Sequence, residues 1–203
     1  METLISERTL KLPHWLCAKL ERIPSVTLST ASERMAFALE VLKEHIEART
    51  GGPFAALVVE ELSGRLVSVG VNLVTTELDP SAHAEVVAVR FATAARGAFQ
   101  LGDPRLPALQ LVTTGQPCAM CFGMVVWSGI QSLLIGASTT DAEQIAGFDE
   151  GPVHPAWREE LIKRGIKITE GLMATEVQAL YRRYIELGGV PYNGARNNGE
   201  RGS

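Results

Sequence analysis

Apolar residues recur along this chain with two different periods, and the switches between them outline its elements. Met35, Leu39, Leu42 and Ile46 follow one another at spacings of four, three and four, the repeat of one helical face. Thr30-Ala31-Ser32-Glu33 stands ahead of them as a capping box, and Gly51-Gly52-Pro53 stands behind them as a stop. Phe54–Val59 is a short apolar run of the kind a buried strand shows. The polar turn Glu60–Gly64 leads to a second strand over Arg65–Asn72, so the two predict an antiparallel hairpin. The alanine-rich stretch Ser81–Arg96 predicts a helix with His83 in its first turn. Beyond it the expected order is strand Leu109–Thr113, helix Cys118–Ser128, strand Ser132–Ala137, a short helix Asp141–Ile145, helix Ala156–Arg164, strand Ile166–Thr169 and helix Thr175–Leu187. That alternation points to an α/β fold, a largely parallel sheet opened by one hairpin and covered by helices.

Residues 1–28 lie outside the pattern. They carry Pro13 and Pro24 with weak periodicity and are expected to form an extended or partly helical arm packed on the body. Residues 29–193 are expected to form a single domain, and 194–203 a flexible tail rich in Asn and Gly. The 203 residues are 46% hydrophobic and 21% charged, enough to bury one core. Composition also removes some partners. Net charge is −4, and basic residues such as Arg182-Arg183 are scattered rather than gathered into the face a nucleic-acid backbone would need. No apolar run approaches the ~20 residues of a membrane span, and Met1–Arg8 lack the basic-then-apolar order of an export signal. A cytoplasmic protein with neither nucleic acid nor membrane as partner is expected.

Candidate chemistry is concentrated in two short strings, His83-Ala84-Glu85 and Pro117-Cys118-Ala119-Met120-Cys121. They offer one imidazole, two thiols three residues apart at a predicted helix start, and one carboxylate. Three protein ligands can hold Zn2+ with its fourth position open to water, which is the arrangement of a catalytic rather than a structural zinc. Glu85 would then be the proton carrier. On a regular helix His83 and Glu85 would point about 200° apart, so their spacing alone does not bring both to one site. Two plainer readings compete. A C-x-x-C pair can be a redox couple, and a structural zinc would draw a fourth ligand from Cys17, His14, His45 or His154. Cys17 reads as a small buried hydrophobe, His45 as a residue on the polar side of its helix, and His154 as a surface residue.

H-x-E with P-C-x-x-C is the signature of zinc-dependent base deaminases, and the chain resembles the cytidine-deaminase-like zinc superfamily. Within it, the likeness to the bacterial guanine deaminases runs from about Gly51 to Asn193. It takes in Gly51-Gly52-Pro53-Phe54, Asn72, Ala82-His83-Ala84-Glu85-Val86, Pro117-Cys118-Ala119-Met120-Cys121-Phe122-Gly123, Trp127, Gly147-Phe148-Asp149-Glu150 and Gly189-Val190-Pro191-Tyr192-Asn193. The resemblance implies a three-layer α/β/α sandwich around a five-stranded mixed sheet. It also implies a homodimer whose C-terminal segment crosses to cover the partner's pocket. It assigns zinc to His83, Cys118 and Cys121, and proton transfer to Glu85 with Glu150 as a second acid at the purine amino group. Asn72 is implied as a base-reading amide, Phe54 and Trp127 as pocket walls, the Ala84 backbone as a contact to the base, and Tyr192 as a cap. The implied reaction is guanine and water to xanthine and ammonia. Deamination of cytosine, a nucleoside or an amino-triazine is the alternative. A tRNA adenosine deaminase would call for a basic surface, and a non-catalytic zinc module for a closed metal site. One departure is Gln116, where these enzymes usually carry glutamate.

Overall fold

The computed structural model describes residues 7–23 and 25–193; the tail expected over 194–203 lies outside the described residues. Pro13, with φ at −56°, begins helix α1 (His14–Arg22), where its missing N–H costs nothing. The arm is therefore helical over this stretch, with Leu16 fully buried against the body. Its end is stitched to the hairpin turn by Leu28 N–H donating to the Gly64 carbonyl (2.7 Å) and Leu66 N–H to the Val26 carbonyl (2.9 Å).

Helix α2 (Ala31–Glu47) starts at the expected capping box: Glu33 N–H donates to Thr30 Oγ1 (3.1 Å) and Thr30 N–H to the Glu33 carboxylate (2.9 Å), reciprocal contacts that satisfy donors the first turn leaves free. The hairpin follows as β1 (Ala55–Glu60) and β2 (Leu66–Val71), then a short helix α3 (Val74–Glu77) and helix α4 (Ala84–Arg96). Next come β3 (Leu109–Gly115), α5 (Ala119–Ser128), β4 (Ser132–Ala137) and α6 (Thr139–Asp141), which runs on as a π-helical turn over Ala142–Ala146. Helix α7 (Trp157–Ile162), β5 (Lys167–Thr169) and α8 (Ala174–Glu186) complete the fold.

The strands lie in the order β2-β1-β3-β4-β5. The sheet is mixed rather than largely parallel. β1 is antiparallel to both β2 and β3, while β3–β4 and β4–β5 are parallel. The reason is the position of the hairpin: β2 crosses back to β3 through α4, leaving β1 between two strands that both run against it. Helices cover both faces, so every residue of β1 is buried. Ala55, Leu57 and Val59 meet Met35, Ala38 and Leu42 of α2 in one apolar cluster. Ala56 and Val58 face the other way, towards Ala88 and Ala92 of α4, Val125 of α5 and Leu161 of α7. This is the expected α/β/α arrangement of three layers. Its consequence for chemistry is directional. The segments leaving β2, β3 and β4 and the segment entering β1 all emerge at one edge of the sheet, where α/β folds build their sites.

Candidate active site

Two helices aim their N-termini at that edge, α4 beginning three residues and α5 one residue later than expected. His83 is the N-cap of α4 (φ −69°, ψ 154°) and Cys118 the N-cap of α5 (φ −64°, ψ 177°). Both residues are extended, and neither side chain caps its own helix. A good cap is worth about 1 kcal/mol, so these two positions forgo stability and leave the imidazole and thiol free. The extended backbone at His83 also resolves the angular problem. His83 leaves the helix while Glu85 stays in its first turn, and both reach the same cavity.

Ligand atoms of His83, Cys118 and Cys121 all lie within 4.8 Å of one another, and among the described residues they form the group that could hold a metal. Cys118 Sγ is 3.6 Å from His83 Nδ1, the length of a tetrahedron edge (about 3.6 Å) built on usual Zn–S and Zn–N distances. The electrostatics fit as well. The Cys118 thiol is driven down to about 4, first by the hydrogen bond from Cys121 and then by His83, against the opposing effect of burial. Cys121 is pushed well above its usual value by that same hydrogen bond and by burial. The pair thus shares a proton that a divalent cation would release. Cys17 lies elsewhere, its Sγ 3.6 Å from the Leu12 carbonyl, and no fourth protein ligand joins the trio among the described residues. The site is open, as a catalytic zinc requires.

The cavity beside the trio has a volume of about 320 Å³. Two carboxyls face it, both nearly buried: Glu85 at 6% exposure and Glu150 at 8%. Burial, followed by the charge of Cys118, raises Glu85 to about 7 and Glu150 to about 8. The Gly147–Glu150 segment is tied down where the Ala119 N–H, at the α5 N-terminus, donates to the Glu150 carbonyl (3.1 Å). Its alternation buries Phe148 and Glu150 and leaves Asp149 exposed at the cavity rim, so Glu150 rather than its neighbour is the buried acid.

Aromatic rings wall the cavity. Phe54 meets Phe148 edge-on (5.1 Å, 77°), and Phe148 meets Tyr192 likewise (5.1 Å, 69°). Tyr192 also stands over His83 (6.5 Å, 76°). A Cβ on Gly52 would fall 2.7 Å from the Tyr192 ring and hydroxyl, so glycine there makes room for the cap. Within the single chain the C-terminal segment lies over this pocket through Tyr192 and Asn193. After α8 the chain turns at Gly188 and Gly189, and Tyr184 Oη donates to the Val190 carbonyl (3.0 Å).

Asn72 sits at the end of β2, fully buried, with its Oδ1 accepting from Val74 N–H (3.2 Å) and its Nδ2 without a partner. The Tyr192 hydroxyl is buried too and, like Asn72 Nδ2, lacks a hydrogen bond of full geometry; burial and the Glu150 charge raise it, while the Asn72 side chain close beside it pulls it back. Ala84 is buried at the start of α4 and packs on the sheet. Trp127 does not belong to this group. It lies six residues past Cys121 on α5, about 120° round the helix, and is 84% exposed. The expectation for His45 is overturned as well: it is fully buried, between Thr50 and Asn72. The sequence does carry a signal for this, since position 45 continues the stripe Ala38, Val41 and Leu42. Phe148 and Asn193 also line the cavity, beyond the residues that sequence reasoning assigns to it. Tyr181 is buried 5.7 Å from the Phe54 ring, its hydroxyl unpartnered.

Comparison with known proteins agrees with this geometry. Guanine deaminase of Bacillus subtilis is 40% identical over 111 residues, which are 55% of this chain and 66% of that protein. A tRNA-specific adenosine deaminase of Haemophilus influenzae is 31% identical over 142 residues, 70% and 75% of the two chains. The solved structure of guanine deaminase from Nitrosomonas europaea superposes with a TM-score of 0.84 at 39% identity, covering 90% of this chain and 98% of that one. The profile of the cytidine and deoxycytidylate deaminase zinc-binding region matches residues 28–137, a span that carries His83, Glu85, Cys118 and Cys121. Zinc is the metal of this site, the protein is an aminohydrolase, and the chain belongs to the cytidine and deoxycytidylate deaminase zinc-binding family.

Proposed function

We propose that the protein hydrolyses guanine to xanthine and ammonia. The observation that carries this reading is the pair of buried carboxyls, Glu85 and Glu150, facing one aromatic-walled cavity beside the metal trio. A volume of about 320 Å³ is at the small end of ligand pockets and suits a free base. The likeness to two guanine deaminases supports the same substrate.

His83, Cys118 and Cys121 would hold the zinc, which when bound would acidify the attacking water. Glu85 takes one proton from the attacking water and passes it to the adjacent ring nitrogen, then carries the hydroxyl's remaining proton to the exocyclic nitrogen, which leaves as ammonia while the ring carbon becomes a carbonyl. Glu150, a second buried acid raised to about 8, hydrogen-bonds the amino group from its own side of the pocket and assists its departure without adding a further proton. Asn72 Nδ2 and the Tyr192 hydroxyl, buried without a hydrogen bond of full geometry, are donors that a base would satisfy; an unmet buried donor costs roughly 1–3 kcal/mol. The Ala84 backbone adds a contact at the α4 N-terminus, and Phe54, Phe148 and Tyr192 sandwich the ring and keep bulk water out.

Ammonia release measured side by side from guanine, adenine, cytosine, guanosine and an amino-triazine tests the assignment. Guanine should lead in kcat/KM, and a lead for any other substrate overturns it. A tRNA substrate is disfavoured by the net charge of −4 and by the Tyr192 cap, which narrows the mouth to a free base.

Three further readings belong to this proposal. The catalytic unit is residues 29–193, with 1–28 as an arm. The three cysteines are free thiols, which suits the reducing cytoplasm; no helix among the described residues is long and apolar enough to cross a membrane. The protein works as a homodimer. The outer face of α5 carries Met120 and Trp127 exposed, a stripe that a second copy would cover. Exchange of the segment after Gly188 between the copies would keep the same Tyr192 contacts across the interface, as in the crossed arrangement.

A further inference from the structure

A line of hydrogen bonds leads from the N-terminal helix to Asn72, whose side chain lies beside the Tyr192 cap. Trp15 Nε1–H donates to Thr50 Oγ1 (3.1 Å), Thr50 Oγ1 is 2.7 Å from His45 Nδ1, and His45 Nε2 is 3.0 Å from the Asn72 carbonyl oxygen. The chemistry fixes its direction. A carbonyl oxygen only accepts, so Nε2 of His45 carries the hydrogen. Burial lowers His45 to about 4, so the ring is neutral near pH 7 and its Nδ1 must accept. The Thr50 hydroxyl therefore donates to Nδ1, and its oxygen is left to accept from the Trp15 indole. Every group has one role, and reversing any of them leaves two donors or two acceptors face to face.

Packing supports the same line. The Trp15 and His45 rings lie 6.2 Å apart. A Cβ on Gly51 would fall 1.9 Å from the Asn72 carbonyl oxygen and 3.1 Å from His45 Nε2, so the His45–Asn72 contact exists only because residue 51 has no side chain. Asn72 itself is fixed by its N–H donating to the Phe54 carbonyl (3.1 Å), which leaves His45 to fix the carbonyl on its other side.

We propose that Trp15, Thr50 and His45 form a directional relay through which the N-terminal helix holds the backbone of Asn72, and so sets the aim of the base-reading amide. These are positioning residues, and the proposal rests on the reading that Asn72 contacts the base. The expected signature is a loss of binding rather than of chemistry.

The experiment uses the full-length zinc-loaded protein. Thr50→Val should raise KM for guanine about tenfold, the size of one buried hydrogen bond, with kcat within about twofold and zinc content unchanged. Thr50→Ser, which keeps the hydroxyl, should restore KM. In an Asn72→Ala background Thr50→Val should add less than about twofold, because the two substitutions act through one contact. An unchanged KM in Thr50→Val, or a full additive effect on Asn72→Ala, overturns the relay. Should Thr50→Val not fold, Trp15→Phe removes only the indole N–H and should raise KM about threefold; no change there overturns the proposal equally. Nitrogen NMR of His45 supplies a readout independent of substrate. A neutral ring protonated on Nε2 supports the relay and one protonated on Nδ1 overturns it, whereas a protein that ignores guanine but keeps the Nε2–H tautomer sinks only the substrate assignment.

Discussion

Asn193 clamps Gly147: its Nδ2 donates to the Gly147 carbonyl at 2.9 Å, and its Oδ1 accepts from Asp149 N–H at the same distance. A side chain near the end of the described chain thus holds the loop that turns Glu150 into the cavity. Asn193→Ala should lower kcat/KM for guanine about tenfold, as expected for two contacts of roughly 1 kcal/mol each, partly replaced by water. The melting temperature should move by no more than about 2 °C, since the clamp is peripheral to the core. Ammonia release and a thermal melt on one sample check both.

Glu85→Gln keeps the shape of the side chain and removes its capacity to carry a proton. Zinc should remain at one per chain by metal analysis while kcat falls by about 10²–10⁴-fold. Turnover near the unmodified level would take Glu85 out of the mechanism.

Glu150→Ala should slow guanine more than cytosine, because the second acid serves the purine amino group. Equal slowing of both substrates would mean that Glu150 only shapes the pocket.

Crossing of the C-terminal segment can be read from mixed subunits. A chain carrying Glu85→Gln and a chain carrying Tyr192→Ala are each impaired alone. In a crossed homodimer the pocket with intact Glu85 receives the intact Tyr192 of the other chain, so mixing should recover about a quarter of native kcat/KM per total chain, on the rule that subunits assemble by symmetric, statistical pairing. No recovery, in a sample shown to be dimeric by light scattering, means that each tail serves its own chain, as it does within the single chain.

His45 should make the fold sensitive to mild acid. Its pKa is about 4 in the folded protein against 6.5 for the free side chain, and burial is the main cause. Between those values the unfolded chain binds a proton that the folded chain refuses. The contribution is therefore present in full above about pH 6.5 and lost progressively as pH falls towards 4, to a limit of about 3 kcal/mol. Urea unfolding from pH 7 to pH 4 should show a steeper decline for the native protein than for His45→Gln, whose side chain does not titrate. Parallel declines would contradict the burial.

The features legible in the amino-acid order are those that short-range rules enforce. The capping box at Thr30–Glu33 depends on residues three apart, and the hairpin on two apolar runs around Ser63-Gly64. Cys118 and Cys121 share a helical turn whatever the rest of the chain does. His83 and Glu85 sit at the limit of such reasoning. Their spacing opposes convergence on a regular helix, and only the extended backbone at His83 reconciles them.

Side-chain identity is a poor guide to burial where a polar residue finds partners from distant segments. The polarity of imidazole predicts an outward His45; it lies inside because Thr50 and the Asn72 carbonyl satisfy both ring nitrogens. Trp127 departs in the opposite sense, as a large aromatic left exposed on α5. Residue types and short-range spacing are sufficient to nominate His83, Cys118 and Cys121 as a metal-binding set and to show the α/β alternation, whereas Glu85 joins them only through the extended backbone at His83. Bringing Phe54, Glu150 and Tyr192 to one cavity, with the Asn72 side chain beside Tyr192, requires the sheet order and the turn after α8. Those contacts join residues dozens of positions apart, and only the packed core sets such distances.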